Sequence, residues 1–415
     1  MLDGSEKPIF SEKKNVLRLI GFLIAFAIAV TFITLGVVRI GHKDPGLYEV
    51  ETDVDGSLPL YASGIHLKYD FNGSSDEIKS QMNGIKAVYT EALKQSYKWF
   101  DTKNVYPEAP NLAEISQKPG QAVVLQEPLF AILQDALQRT EKNEGYTIFA
   151  APLRALQQAR LYASEPAAGD PVNEPELRAL IDALDQVIRE DPGELILNAA
   201  EKTATLNLSA AYAAFLEEYE LQEDGVLDLG VLADAYRLQY LSQVLEEAGY
   251  TKGFLTSDSG ASLLLSGYTN EQAKFCLYSL DAEGKIEVSA TKAAKAGTAS
   301  CSFRVFRFSE GEYGFYTVAE GERILYRNPY QLSLPDEQPV LSVLASSSTG
   351  KIVEAAYACI CLMEAKTSDE ALAAAEKDGV SRIVDLNDGE AKLYLSDADG
   401  VEVLSGYETI LPEGK

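Results

Sequence analysis

The stretch that decides the fold begins at Asp228, ends at Gly260 and reads DLGVLADAYRLQYLSQVLEEAGYTKGFLTSDSG. Apolar residues recur in it every three or four positions, at Leu232, Ala235, Leu238, Leu241 and Leu245. This spacing predicts an amphipathic helix, and Gly249 is suited to ending it. The apolar run from Gly253 to Thr256 then predicts a strand. The stretch is therefore expected to fold as loop, helix and strand.

A turn of small residues stands at each end of this unit. The first contains Asp228 and Gly230, and the second contains Ser259 and Gly260. Small residues let backbone N–H groups approach a phosphate, which side chains would otherwise keep away. These four residues are the first candidates for binding a phosphate-bearing cofactor. The alternative is that the two glycines are needed only for the turn conformation and bind no ligand.

Residues 228–236, DLGVLADAY, resemble the Asp-Leu-Gly-Gly-Ile-Ala-Lys-Gly-Tyr signature of the ApbE family. Members of this family are flavin transferases, which move FMN from FAD onto a Ser or Thr of a target protein. The family has a second glycine turn about twenty residues on, where Ser259 and Gly260 stand. The resemblance implies an α+β, ApbE-like fold related to the T-fold, with mixed sheets and flanking helices over residues 59–412. It also implies FAD and magnesium.

Two further family landmarks place candidate residues downstream. The turn at residues 294–297 matches Ala-Thr-Ser-Gly and retains its glycine, Gly297, which the resemblance makes a cofactor-binding residue. Residues 353–358 match Ala-Asp-Ala-Leu-Ala-Thr, the family's metal site. The resemblance makes Glu354 a magnesium ligand there, while Ala358 stands in place of the threonine. Glu354 could equally face solvent from an apolar helix.

Other positions depart from the family pattern. Asp234 replaces the lysine of the helix signature, and an acidic side chain there would repel a pyrophosphate unless a metal ion intervened. Residues 323–327, RILYR, replace the family's His-Ile-Ile-Asp-Pro, and the only histidines of the chain are His42 and His66. No catalytic residue is therefore assigned. Two functions stay open: an FAD:protein FMN transferase, and a non-catalytic flavin-binding or protein-interaction scaffold of the cell envelope.

The charge and cysteine content exclude other classes. With 415 residues, a net charge of −27 and a pI near 4.5, the chain lacks the basic surface that nucleic acid requires. Its four cysteines are too few and too irregularly spaced for a zinc site. Cys276 and Cys301 lie in strand-like segments that would permit a disulfide, although nothing in the sequence assigns one.

A charge-free segment of twenty residues begins at Leu19 and ends at Val38. At about 1.5 Å per residue it is long enough to cross a hydrocarbon core of about 30 Å. Lys13, Lys14 and Arg18 precede it, which predicts a cytoplasmic N-terminus. The expected organisation is a cytoplasmic segment 1–18, a membrane anchor 19–38, a linker 39–58 and an extracytoplasmic domain 59–412. A cleaved signal peptide is the alternative.

Two short motifs suggest rival chemistry. Ser289 and Lys292 match the Ser-x-x-Lys of penicillin-interacting serine enzymes. Ser262 follows Ser259 and Gly260 in a segment similar to the one that flavin transferases modify, which would make the chain itself an acceptor. Both motifs consist of common residues that arise by chance.

Periodicity also predicts the remaining elements. Helices are expected at 75–99, 123–139, 176–189, 352–363 and 368–377. Paired strands are expected within 194–208, and antiparallel strands at 275–280, 286–289, 301–308, 313–318, 339–347, 382–384 and 391–395.

Overall fold

The computed structural model describes residues 43–52, 58–142, 146–161, 174–281, 283–304, 306, 308, 315–317, 324–326, 342–363, 369, 380–386 and 390–411. These residues divide into two compact units. The smaller unit contains the described residues 43–46 and 71–83, and the larger contains 47–70 and 84–411. All candidate site residues belong to the larger unit.

The predicted membrane anchor, residues 19–38, lies outside the described residues. Within the described parts of the chain, no helix combines the length and the apolar character needed to cross a membrane.

The described helices are numbered in chain order. They are α1 Ser75–Phe100, α2 Leu112–Gln117, α3 Glu127–Lys142, α4 Ala151–Leu161, α5 Pro175–Glu190, α6 Ala210–Glu218, α7 Ala233–Glu247 and α8 Ile352–Met363. Single 3-10 turns occur at Leu60–Ser63, Gln222–Asp224 and Gly230–Leu232.

The described strands are likewise numbered in chain order. They are β1 Gly46–Glu49, β2 Ile65–Phe71, β3 Ala122–Val124, β4 Gly193–Asn198, β5 Thr203–Leu208, β6 Gly253–Ser257, β7 Ala261–Leu264, β8 Lys274–Leu280, β9 Ile286–Ala293, β10 Ala299–Arg304, β11 Phe315–Thr317, β12 Ile324–Tyr326, β13 Ser342–Ser347, β14 Ser381–Asp385, β15 Lys392–Leu395, β16 Val401–Val403 and β17 Glu408–Ile410.

A nine-stranded sheet has the order β1-β2-β6-β7-β10-β13-β14-β15-β17. Pairing is antiparallel from β2 through β15 and parallel between β15 and β17. Two three-stranded sheets, β16-β9-β8 and β3-β5-β4, and the pair β11-β12 complete the described strands. This mixture of mainly antiparallel sheets and separate helices confirms the predicted α+β class.

The unit from Asp228 to Gly260 folds as its sequence predicts. The 3-10 turn Gly230–Leu232 leads into α7, whose apolar stripe at Leu238, Leu241 and Leu245 is buried. The chain then enters β6, an inner strand of the large sheet. Because β6 pairs with both β2 and β7, the helix and its two flanking turns are held against the centre of the fold.

Helix α8 is the other central element. It is almost entirely apolar and buried, and it packs on β10, β13 and α7. Cys359 on this helix donates its thiol to the carbonyl oxygen of Cys301 on β10, at 3.3 Å. All four cysteines, including Cys276, have free thiols in the described structure. Burial raises the pKa of the Cys301 thiol, and its hydrogen bond with Cys359 adds to that shift.

Residues 122–124 and part of the predicted linker form structure that the sequence did not predict, and one predicted helix is not tested. Residues 122–124 form strand β3, so the helix predicted from 123 begins only at Glu127. Part of the predicted linker forms β1. The helix predicted at 368–377 lies almost wholly outside the described residues, which include only residue 369 of it. The first two differences share a cause: short strands gain their stability from neighbouring strands, which local periodicity does not report.

Candidate functional site

The first predicted turn is closed by the protein's own groups. Gly230 has a positive φ of 56°, and its backbone N–H donates to Asp228 Oδ1 at 2.7 Å. A Cβ atom added at Gly230 would lie 2.1 Å from Cζ of Arg154. The glycine therefore makes room for an internal guanidinium group, which packs directly on its Cα.

Arg154, in the first turn of α4, is an unexpected member of the site. Its side chain is only 8% exposed, and its Nε lies 3.4 Å from Asp228 Oδ2. Within the described residues Nε is buried without a hydrogen bond. Most buried guanidinium groups are hydrogen-bonded, so the contact with Asp228 is a charge pair of poor hydrogen-bond geometry. It still places a buried positive charge beside the glycine turn.

The second predicted turn also uses its donors internally. The N–H of Gly260 donates to Ser257 O at 3.0 Å, and the N–H of Ala261 donates to Ser257 Oγ at 3.1 Å. Gly260 has a φ of 94°, and a Cβ there would meet Ser302 O at 2.1 Å. Strand β10 thus approaches the turn so closely that only glycine fits.

Asp234 links helix α7 to the second turn. Its Oδ2 accepts a hydrogen bond from Ser259 Oγ at 2.7 Å, and its Oδ1 accepts one from Arg237 Nη1 at 2.8 Å. Burial lowers the pKa of Arg237, while the charge of Asp234 acts against that shift. The carboxylate thus has a positively charged partner. Asp234 is neutralised by an arginine three residues along the same helix.

Glu354 lies on the first turn of α8 and faces α3. Its carboxylate accepts hydrogen bonds from Arg139 Nη2 at 3.1 Å and Nη1 at 3.4 Å. Arg139 also binds Asp135, through Nε at 2.8 Å and Nη2 at 3.1 Å. Glu354 thus faces solvent in part, and Arg139 binds the same carboxylate. The carboxylate is half-exposed but held by an arginine.

These residues do not fit a magnesium ion. Magnesium takes six oxygen ligands in near-octahedral geometry. In the described chain no group of three or more Asp, Glu, His or Cys side chains is placed to hold a metal ion, and the carboxylates of Asp135 and Glu354 are both bound by Arg139. Ala358, where the resemblance places a threonine, is buried and offers no side-chain oxygen. Glu354 as a metal ligand stays a prediction that this arrangement does not support.

Gly297 stands apart from the other two glycines. It has a φ of 69°, no atom lies within 4 Å of a Cβ added there, and its N–H donates to Leu264 O at 3.1 Å. Gly260 pairs with Ser302 beyond one end of the β7–β10 ladder. Because Gly297 meets β7 at the other end of that ladder, the structure does not bring the two glycines together.

The two rival motifs take positions that do not suit their chemistry. Ser289 and Lys292 both lie on strand β9, whose register with β8 shifts at Ser289. Ser289 is fully buried and shares a hydrogen bond with Ser279 at 2.6 Å, while Lys292 binds Asp397 at 3.0 Å. Ser262 lies in β7, paired on both sides with β6 and β10, rather than in an accessible loop.

Sequence reasoning missed the basic residues of the site. Arg139, Arg154 and Arg237 each pair with a carboxylate. Two of these pairs left a local signal, because Asp135 precedes Arg139 by four residues and Asp234 precedes Arg237 by three. Arg154 left none, since its partner lies 74 residues further along the sequence.

The fold and the site together define an α+β protein with a central antiparallel sheet, whose helix α7 is flanked by two glycine turns. No protein-family model matches the sequence, and neither does any curated protein. Solved structures do match. The flavin transferase ApbE from Vibrio cholerae has a TM-score of 0.51 and 12% identity, over 86% of this chain and 96% of that one. The ApbE protein from Thermotoga maritima has a TM-score of 0.52 and 13% identity, over 86% and 97%. The chain therefore has an ApbE-like fold, of a divergent kind.

Proposed function

We propose that this chain is a non-catalytic interaction protein of the cell envelope, built on the fold of the ApbE flavin transferases. The observation that carries the proposal is the position of Arg154. Its guanidinium group packs against Gly230, where the family resemblance would bring the phosphates of FAD to the backbone. A cofactor phosphate and this guanidinium group compete for the same space.

Hydrogen bonding at the turns supports the same function. A phosphate binds at a glycine turn by accepting hydrogen bonds from backbone N–H groups. The N–H groups of Gly230, Gly260 and Ala261 already donate to protein oxygens. Binding a phosphate would first require these bonds to break, at a net cost of about 1 kcal/mol each.

The charge balance of the region points the same way. The four carboxylates and three guanidinium groups of the ion pairs described above sum to one net negative charge. The residues are Asp135, Asp228, Asp234, Glu354, Arg139, Arg154 and Arg237. A pyrophosphate would therefore face no uncompensated positive charge.

The proposed location follows from the N-terminal sequence. Residues 19–38 would anchor the chain in the membrane, residues 1–18 would lie in the cytoplasm, and residues 59–412 would lie outside. The partner would then be another envelope protein. Carbonate extraction of membranes and external protease treatment of intact cells test this. Release of the full chain by carbonate would contradict an anchor.

FMN transfer is the second candidate function, favoured by the shared fold. In it the chain would transfer FMN from FAD to a Ser or Thr of an acceptor protein, with magnesium. Asp228, Gly230, Ser259, Gly260 and Gly297 would contact the cofactor, and Glu354 the metal. Each of these roles requires the internal contacts described above to be replaced.

One experiment separates the two functions. The full chain is purified in detergent, its visible absorbance is recorded, and it is incubated with FAD, Mg²⁺ and a Ser- or Thr-containing acceptor peptide. We expect no retained flavin and no mass gain of one FMN on the peptide or the chain. The Vibrio cholerae flavin transferase serves as the positive control. An FMN adduct on the peptide would refute the non-catalytic function, and one on the chain would direct attention to Ser262.

A further inference from the structure

We propose that Arg139 is the resident cation of this protein, and that its guanidinium group holds Asp135 and Glu354 in place of a divalent metal ion. The inference deepens the proposed function and rests on it in one respect, since a protein without metal-dependent transfer needs no divalent cation here. It is carried by contacts that do not involve Arg154 or the glycine turns.

All three guanidinium nitrogens of Arg139 are engaged by carboxylates. Nε and Nη2 donate to Asp135 at 2.8 and 3.1 Å. Nη2 and Nη1 donate to Glu354 at 3.1 and 3.4 Å. Each carboxylate is thus bound through both of its oxygens. This two-point geometry is the strongest way in which a guanidinium group recognises a carboxylate.

Aromatic groups complete the surroundings of the cation. The ring centroid of Tyr357 lies 4.9 Å from Arg139 Cζ, a favourable cation–π distance. The Tyr357 hydroxyl donates to the backbone oxygen of Arg139 at 3.3 Å. The hydroxyl of Tyr236 donates to Asp135 Oδ2 at 2.6 Å. Groups on α3 and α8 therefore hold the Arg139 side chain, and α7 holds its partner Asp135.

Exposure differs sharply between the cation and its partners. The Arg139 side chain is 8% exposed, whereas those of Asp135 and Glu354 are 41% and 43% exposed. Burial acts to lower the pKa of Arg139, but the hydrogen bonds that it donates to Asp135 and Glu354 outweigh that effect and raise the pKa above its ordinary value. The group stays protonated at every pH at which the protein is folded.

This arrangement excludes a divalent cation for two reasons. The carboxylate oxygens that a hard cation requires already accept hydrogen bonds from Arg139. A metal ion bound to these carboxylates would displace the Arg139 guanidinium group. The buried guanidinium charge would then lie next to the charge of the metal ion, which is strongly unfavourable. Removal of the guanidinium charge should therefore create a metal site that the natural protein lacks.

Terbium luminescence tests this directly, because Tb³⁺ binds carboxylates as a hard cation and is sensitised by nearby tyrosines. The full chain is titrated as the natural protein, Arg139→Gln, Arg139→Lys and the double variant Arg139→Gln/Glu354→Gln. We expect Arg139→Gln to gain a saturable signal with affinity at least about tenfold above the natural protein, a change of about 1.4 kcal/mol. The double variant should lose this gain, and Arg139→Lys, which retains the charge, should not show it.

The comparison of variants also removes the background expected from an acidic surface. Only the signal that depends on Glu354 counts, so the natural protein is also compared with Glu354→Gln, and these two should bind Tb³⁺ alike. A saturable signal of the natural protein that disappears in Glu354→Gln would overturn the inference. A folded Arg139→Gln variant with no gain would overturn it as well.

Folding is checked by circular dichroism, and the result is separable from that of the transfer assay. If Arg139→Gln does not fold, the comparison of the natural protein with Glu354→Gln still decides the outcome. FMN transfer by a protein that lacks Glu354-dependent metal binding would refute the proposed function and leave Arg139 as the resident cation. Glu354-dependent metal binding without FMN transfer would refute the role of Arg139 as the resident cation and leave the proposed function standing.

Discussion

The turns at Gly260 and Gly297 have similar positive-φ backbones, 94° and 69°, but opposite surroundings. A Cβ at Gly260 would meet Ser302 O at 2.1 Å, whereas none of the structure lies within 4 Å of one at Gly297. Glycine at the first turn admits a neighbouring strand, and at the second it only permits the backbone conformation. A glycine in a binding motif can therefore be required by packing within the protein as well as by a bound ligand.

Gly230 is a third case, between these two. Its neighbour is the end of the Arg154 side chain rather than a backbone atom. A side chain can move more easily than a strand in the middle of a sheet. The three glycines should therefore differ in their tolerance of a methyl group, and Asp234, which links α7 to the Gly260 turn through Ser259, should have its own measurable effect.

Gly260→Ala should have the largest effect. The new Cβ would separate the turn from Ser302 and break the hydrogen bond from Ser302 N to Gly260 O. We expect the free energy of unfolding to fall by about 5 kcal/mol, or the chain to fail to fold. Urea unfolding in the same detergent, followed by circular dichroism, measures it. A loss below about 1 kcal/mol would show that β10 does not press on this turn.

Asp234→Ala should have the next largest effect. It leaves Arg237 as a buried charge without its partner and removes the acceptor of Ser259. We expect a loss of about 3 kcal/mol, because breaking one side of a largely buried pair exposes the cost of burying the other. Asp182→Ala is the matched control. Its partner is also an arginine on the same helix, but Asp182 is exposed, so a change within about 0.5 kcal/mol is expected. Equal losses in the two variants would contradict the linking role of Asp234.

Gly230→Ala should cost about 2 kcal/mol, from the left-handed backbone and the displaced guanidinium group. The contribution of the displaced guanidinium group to this loss can be measured by combining Gly230→Ala with Arg154→Ala. If Arg154 fills the turn, the double variant should be less destabilised than the sum of the two single variants by about 1 kcal/mol. Strict additivity in urea unfolding would show that Arg154 does not contact the glycine in solution.

Gly297→Ala should have the smallest effect, about 1 kcal/mol, since only the backbone conformation opposes it. The same unfolding measurement applies, and the variant should fold normally. A loss as large as that of Gly260→Ala would mean that an unseen group packs on this turn. The expected order of the four variants is thus Gly260, Asp234, Gly230 and Gly297.

Much of the fold was predictable because its signals are local. The helical spacing of α7 and α8 and the paired strands 194–208 all appear where periodicity places them. Strand β3 and the first residues of the chain's large sheet were not predicted, because a strand of three or four residues depends on partners distant in sequence. The apolar sequence predicted the helix at 352–363. It did not predict that the Glu354 side chain faces Arg139.

The candidate site was predictable in its position and not in its contents. The motif at 228–236 predicted the turn in which Gly230 donates to Asp228, and it contains Asp234, whose carboxylate accepts a hydrogen bond from Ser259 of the second turn. The sequence contained no indication that Arg154 would reach Gly230. Contacts of this kind depend on how α4 packs against the turn, and packing is a property of the folded chain.

The sequence by itself determined the helix and glycine frame of an ApbE-like fold, because spacing, turns and apolar runs act over a few residues. Only the tertiary structure decided what surrounds that frame. Arg139 meets Glu354 across 215 positions, and the carbonyl of Ser302 reaches Gly260 from a separate strand. Charge pairing and close packing act through space, so the groups that fill the glycine turns and bind the predicted metal ligand emerge only when the chain is folded.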